Sequence, residues 1–140
     1  MKRSLLVEAD GGPLGAVVAA ANVPDFRLLE ATLDAVVVPR PEPTERRPQH
    51  LCLDKGYDND TGWGVASERD YEPHIAQIRD VRPPRSKRYP ARRWVVERTL
   101  AWLSKCRAIL VRWDKKAANY LGLIRLACAL LWFRRLAAWN

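Results

Sequence analysis

Cysteine is scarce in these 140 residues: Cys52, Cys106 and Cys128 are the only three, and they lie far apart. No C-x-x-C spacing occurs and no histidine pair accompanies them. Neither a zinc-ligand pattern nor a disulfide framework is supported, so a reducing, cytoplasmic compartment is expected. Histidine is scarcer still. His50 and His74 each stand on a short apolar stretch and read as satisfied structural residues rather than ligands. Long apolar runs are missing too. The most apolar stretch, "YLGLIRLACALLWF" at 120–133, is 14 residues with Arg125 inside it, which fits a buried helix and is too short for a membrane span. The N-terminal "MKRSLLVEAD" has only three consecutive apolar residues, too few for a signal-peptide core. A membrane partner is not expected.

Acidic residues are almost absent from one half of the chain. Up to residue 75 there are 8 Lys/Arg against 13 Asp/Glu, whereas from 76 onward there are 16 against 3. The overall charge of +8 therefore hides a net −5 half and a net +13 half. A solvated basic face would account for part of this. The cluster "RDVRPPRSKRYPARRW" favours a polyanion, and nucleic acid before a membrane surface.

What is present argues for one folded domain. Hydrophobic content is 48% with six Trp, and the length allows one real core rather than two. "RSLLVEADGGPLGAVVAAAN" predicts a hairpin turning at Asp10-Gly11-Gly12-Pro13. Asp25 is placed to cap a helix over 25–37, where Phe26, Leu29, Leu33 and Val36 or Val37 recur at helical spacing. Four prolines within 39–49 make that stretch a surface loop. "HLCLD" predicts a short buried strand, "DTGWGVASERD" a weak helix and "EPHIAQI" another strand. The prolines of "DVRPPRSKRYP" bar a helix there. Helix follows from 91 to about 107, then "AILVRW" leads into a last helix over about 115–138. No internal repeat is visible. This order implies an α/β layer with a mixed sheet.

Two acids attract attention for their surroundings. Asp54 ends the apolar run of "HLCLDKGYDND" and is followed at once by a turn. It is either a cap residue or a carboxylate held at a strand end for a metal ion. Glu97, in "WVVERTLAWL", is the only acid between Asp80 and Asp114. Spacing alone favours a surface Glu paired with Arg93 or Arg98, but Mg²⁺ is commonly held by just one or two carboxylates plus waters and phosphate oxygens. "DNDTG" is no calcium loop, since the position that needs Glu holds Arg69. Asp58 and Asp60 read as helix-entry residues, with Asp58 also within reach of a supporting role to Asp54. Most of the tryptophans read as packing, and Trp113 in "VRWDKK" could stack on an unpaired base.

"LCLDKGYDND", followed some forty residues later by "RRWVVERTLAWLSKCRAILVRWDKKAANYLGLIRLACALLW", resembles the catalytic core of DDE-type insertion-sequence transposases, in the group named after insertion sequence five. "KRSLLVEADGGPLGAVVAAANVPD" resembles that family's hairpin after the first catalytic strand, so the likeness spans nearly the whole chain. It implies an RNase H-like fold that is N-terminally truncated, with its first strand and first catalytic aspartate upstream. Asp54 then matches the second catalytic aspartate and Glu97 the third acid, both as metal ligands. Arg93 matches the arginine four residues before that glutamate. The family's tyrosine falls at Pro90, beside Tyr89, and its lysine at Ser104, beside Lys105. Lys55, Arg88, Arg92, Arg93, Lys105, Arg112, Lys115 and Lys116 are the expected DNA contacts.

The implied chemistry is DNA cleavage and strand transfer with Mg²⁺ or Mn²⁺, two ions in the complete enzyme. The implied partners are transposon ends and an upstream transposase segment, and the active form is an oligomer in a bacterial cytoplasm. Asp10 belongs to the turn at the far end of the hairpin, while Asp25 lies at the same edge as Asp54 but reads first as a cap. Without the first aspartate the chain alone is expected to be a poor nuclease. The remaining alternatives are a non-catalytic DNA-binding or regulatory product, and a decayed remnant.

Overall fold

The computed structural model describes residues 1–75 and 93–138, with Arg93 described for its backbone alone. Branched and aliphatic residues form the first strand, β1 (Lys2–Val7), which pairs antiparallel with β2 (Pro13–Ala19) in the register Lys2↔Ala19 to Leu6↔Gly15. The turn between them is held by the Glu8 carboxylate, which accepts the amides of Asp10 at 2.9 Å and Gly12 at 2.7 Å. Burial pushes the Glu8 carboxyl up. Those two amide bonds and the Arg135 guanidinium outweigh it and hold the pKa below its usual value.

The predicted helix over 25–37 is shorter and begins differently. A 3-10 turn at Asp25–Leu28 leads into α1 (Leu29–Asp34), and Pro24 occupies the cap position with no side-chain cap. Asp25 does not cap, because its carboxylate is drawn to Lys2 Nζ at 3.1 Å. The helix stops after Asp34 because its next residues turn back to β2, where the Val37 amide donates to the Leu14 carbonyl at 3.3 Å. Thr32, buried in α1, donates its hydroxyl to the Leu28 carbonyl at 2.6 Å and hydrogen-bonds the Ser4 hydroxyl at 2.7 Å.

A parallel pair follows. β3 (Gln49–Leu53) and β4 (Tyr71–Ile75) are joined by α2 (Asp60–Glu68), giving a β-α-β unit with Gln49 opposite Tyr71 and Leu53 opposite Ile75. Asn59, and not Asp58 or Asp60, caps α2 by accepting the Gly62 amide at 2.9 Å. Gly62 is required there, since a Cβ would stand 2.1 Å from the Tyr57 carbonyl oxygen. β4 matches the first part of the expected strand, whose remainder lies outside the described residues, as does the basic loop at 80–90.

The last third is helical: α3 (Arg93–Leu103), a single turn α4 (Arg107–Leu110) and α5 (Ala117–Ala137). Alternation along the strands builds two layers of core. Leu5, Ala16 and Val18 face Leu103, Ile109, Tyr120, Ile124 and Ala127 from the terminal helices. On the other side, Leu6, Leu51 and Leu53 pack with Leu29, Leu33, Tyr57 and Ala66. The chain is thus α/β with helices on both faces. The expected single mixed sheet is not seen among the described residues: the strands form two separate two-stranded sheets. Leu6 shares a cluster with Leu51 and Leu53, so side-chain packing, and not a backbone ladder, joins the pairs. No described helix is long and apolar enough to cross a membrane.

Candidate functional site

Asp54 takes the cap role that its sequence position allowed. It continues β3 in extended backbone and then caps the 3-10 turn Lys55–Tyr57, with Oδ1 accepting the Lys55 amide at 2.7 Å. The chain turns at once because the carboxylate meets the first amide of that turn. Asp58 lies just beyond and accepts the Trp63 indole N–H at 3.0 Å. Tyr57 packs beneath, its hydroxyl pKa pushed up to about 12 by burial and by the negative charges of Asp25 and Asp54. Asp25, Asp54 and Tyr57 therefore share the end of the fold marked by Lys2.

Several expected DNA contacts gather at that same end. Arg3, next to Lys2, donates to the Ser104 hydroxyl at 3.3 Å, which places the end of α3 and the exposed Lys105 there. α5 finishes at the hairpin turn, where the Trp132 indole donates to the Pro13 carbonyl at 2.7 Å and Arg135 reaches Glu8 at 3.1 Å. Its beginning, with exposed Arg112, Lys115 and Lys116 just before it, accordingly points toward the Lys2 end. Trp113 in the same loop is 76% exposed, so it is not core packing. Lys55 is exposed beside Asp54. Arg88 and Arg92 lie outside the described residues, and Arg93 is placed only as the first residue of α3.

Glu97 is elsewhere. It is exposed on α3, directly before Arg98 and Thr99. Arg98 donates to the Asp10 carbonyl at 2.6 Å and Thr99 to the Gly11 carbonyl at 2.7 Å. Those bonds fix this part of α3 on the hairpin turn, and the six residues of β1 separate that turn from the Lys2 end, a rise of about 20 Å. Glu97 is thus placed by the docking of α3 on the hairpin turn, and Asp54 by the end of β3. Spacing along the chain said that both acids exist, but not which way α3 would lie across the hairpin.

A different cluster does converge. His50, Glu72 and His74 place ligand atoms within 4.8 Å of one another, the one such trio of His, Cys, Asp or Glu among the described residues. Reading the two histidines singly missed it, because they are 24 residues apart and meet only through the parallel register. The available signal was strand parity: His50 and His74 both fall on the outward side of apolar strands. The three cysteines are free thiols, as expected.

A family model described as a transposase DDE domain matches residues 1–132. A Burkholderia cepacia protein named as a transposase for insertion sequence element IS402 is 33% identical over 133 residues, covering 93% of this chain and 61% of that protein. The chain thus spans less than two thirds of that relative's length. No solved structure matches.

Proposed function

The chain belongs to the transposase DDE-domain family, and from that premise we propose that it is the later part of an RNase H-like DNA-cleaving domain, completed by an upstream segment. The observation that carries this reading is the position of Asp54. A carboxylate at the end of β3 stands beside exposed Lys55, and Lys105, Arg112, Lys115 and Lys116 are exposed as DNA contacts would be, a suitable setting for a DNA phosphate beside a metal ion. The divided sheet supports it as well. Among the described residues β1 pairs only with β2, and β3 only with β4, yet Leu6 and Leu51 belong to one core. A further strand inserted between β1 and β3 would join them into one mixed sheet.

The completed enzyme would belong to the group named after insertion sequence five. It would bind transposon ends as an oligomer and use Mg²⁺ or Mn²⁺, two ions, held by Asp54, Glu97 and an upstream aspartate. Such ions stabilise the attacking and leaving oxygens of a phosphodiester. With α3 docked by Arg98 and Thr99 on the hairpin turn and Asp54 at the end of β3, in this reading the site is assembled only on completion. Completion must bring α3 round. By itself the chain should be a poor nuclease, since an error of 1 Å in positioning costs about 10²-fold in rate.

The test is Mg²⁺- or Mn²⁺-dependent nicking of a supercoiled plasmid. The chain alone, the chain with its upstream segment restored, and the restored protein carrying Asp54→Asn are compared. Nicking only by the restored protein, lost in Asp54→Asn, is the expected result. Nicking by the short chain would contradict the need for completion. Salt-sensitive DNA binding with no nicking in any form would favour a non-catalytic binding or regulatory product.

A further inference from the structure

We propose that His50, Glu72 and His74 form a transition-metal site, of the zinc type, on the outer face of the β3–β4 pair. Parity sets the ligands. Leu51 and Ile75 point inward and are buried, whereas His50 and Cys52 on β3, and Glu72 and His74 on β4, alternate to the opposite face. The parallel register places His50 opposite Glu72 and Cys52 opposite His74.

His50 Nδ1 then lies 2.8 Å from His74 Nε2 and 3.2 Å from Glu72 Oε2, with the two rings 4.9 Å apart and tilted by 48°. The carboxylate can only accept, so protons can bridge the three atoms only in particular tautomers of the two imidazoles. One divalent ion would instead take a lone pair from each of the three. With Zn–N and Zn–O distances of about 2.0–2.2 Å, the donors of a tetrahedral site stand about 3.3–3.5 Å apart. The two His50 contacts lie within about half an ångström of that spacing, and all three ligand atoms within 4.8 Å of one another, a gap that side-chain rotation can close.

The donor set selects the metal. Two imidazoles and one carboxylate suit zinc, and are a poor match for Mg²⁺, which prefers all-oxygen ligands. Three protein ligands leave a fourth position open to water. Asp54 is four residues beyond His50, about 13 Å along the strand, so the two centres are separate. An isolated two-stranded sheet is marginal in water. The metal would tie β3 to β4 and so steady the strand that ends at Asp54. This inference stands independently of the DNA-cleaving reading.

Isothermal titration of the chelator-treated 140-residue chain with Zn²⁺ tests it, with Co²⁺ absorption reporting the geometry. The expected result is one equivalent at micromolar affinity or tighter, with the visible bands of a tetrahedral nitrogen–oxygen site. His50→Ala and His74→Ala should each weaken binding at least about 100-fold, more than the loss of an outer-shell partner costs. Glu72→Gln, which keeps the side-chain size, should weaken it at least about 10-fold. Asp54→Asn and Cys52→Ser should leave it unchanged. Far-UV circular dichroism checks the fold of each variant, and Glu72→Gln carries the test if a histidine variant unfolds. Absence of zinc binding, binding unaltered in His74→Ala and Glu72→Gln, or binding lost in Asp54→Asn would overturn the proposal.

Discussion

At the scale of single residues, Asp54 holds a turn, and in the proposed function the same carboxylate also serves a metal site. Its Oδ1 takes the Lys55 amide, a job asparagine does equally well, since Asn and Asp are comparable caps. Asp54→Asn should therefore change folding stability by less than about 0.5 kcal/mol. Asp54→Ala, which loses the cap, should cost about 1 kcal/mol. Urea unfolding of both variants checks this, and equal losses would mean that the carboxylate's charge, and not its hydrogen bond, matters to the fold. The cap was legible in "LDKGYD", because the turn begins directly after the acid. The pairing of Asp25 with Lys2 was not legible, as it depends on the chain after β2 returning to the first residues of β1.

At the scale of elements, hydrophobic period and turn chemistry placed the hairpin, the β3–α2–β4 unit and the last helix within a few residues. Periodicity does not report how elements dock. The hairpin turn illustrates this. Gly12 reads as ordinary turn punctuation, but a Cβ there would meet the Trp132 ring at 2.3 Å. The indole N–H of Trp132 is committed to the Pro13 carbonyl, so α5 cannot yield without losing that bond. Gly12→Ala should destabilise the chain by about 1–3 kcal/mol, the usual range for overpacking. Glycine at a turn with open space would tolerate alanine far better. Thermal unfolding of Gly12→Ala beside Gly64→Ala, whose Cβ would meet nothing within 4 Å, separates docking from helix propensity. A loss no larger at Gly12 than at Gly64 would contradict this account of α5 docking. The His50–Glu72–His74 trio belongs to the same class of hidden feature, since only the register of two strands creates it.

At the scale of the whole molecule, the charge asymmetry in the sequence has a spatial counterpart. Lys105, Arg112, Lys115 and Lys116 are all exposed, while the neighbours of Glu97 on α3, Arg98 and Thr99, are bonded to the hairpin turn. The family was legible from two motifs. The divided sheet and the position of α3 were not, because both follow from long-range packing and not from local pattern. In the proposed function, completion by an upstream segment brings Asp54 and Glu97 to one metal site. Pulsed electron–electron resonance between spin labels at Lys55→Cys and Trp94→Cys, with Cys52, Cys106 and Cys128 replaced by serine, measures this directly. Both labelled positions are exposed. The account predicts a long distance in the chain alone, consistent with the rise of β1, and a shortening of about 10 Å or more once the upstream segment is restored and DNA and Mn²⁺-free Mg²⁺ buffer are present. An unchanged distance in a restored protein that nicks DNA would contradict it, and would remove Glu97 from the metal site.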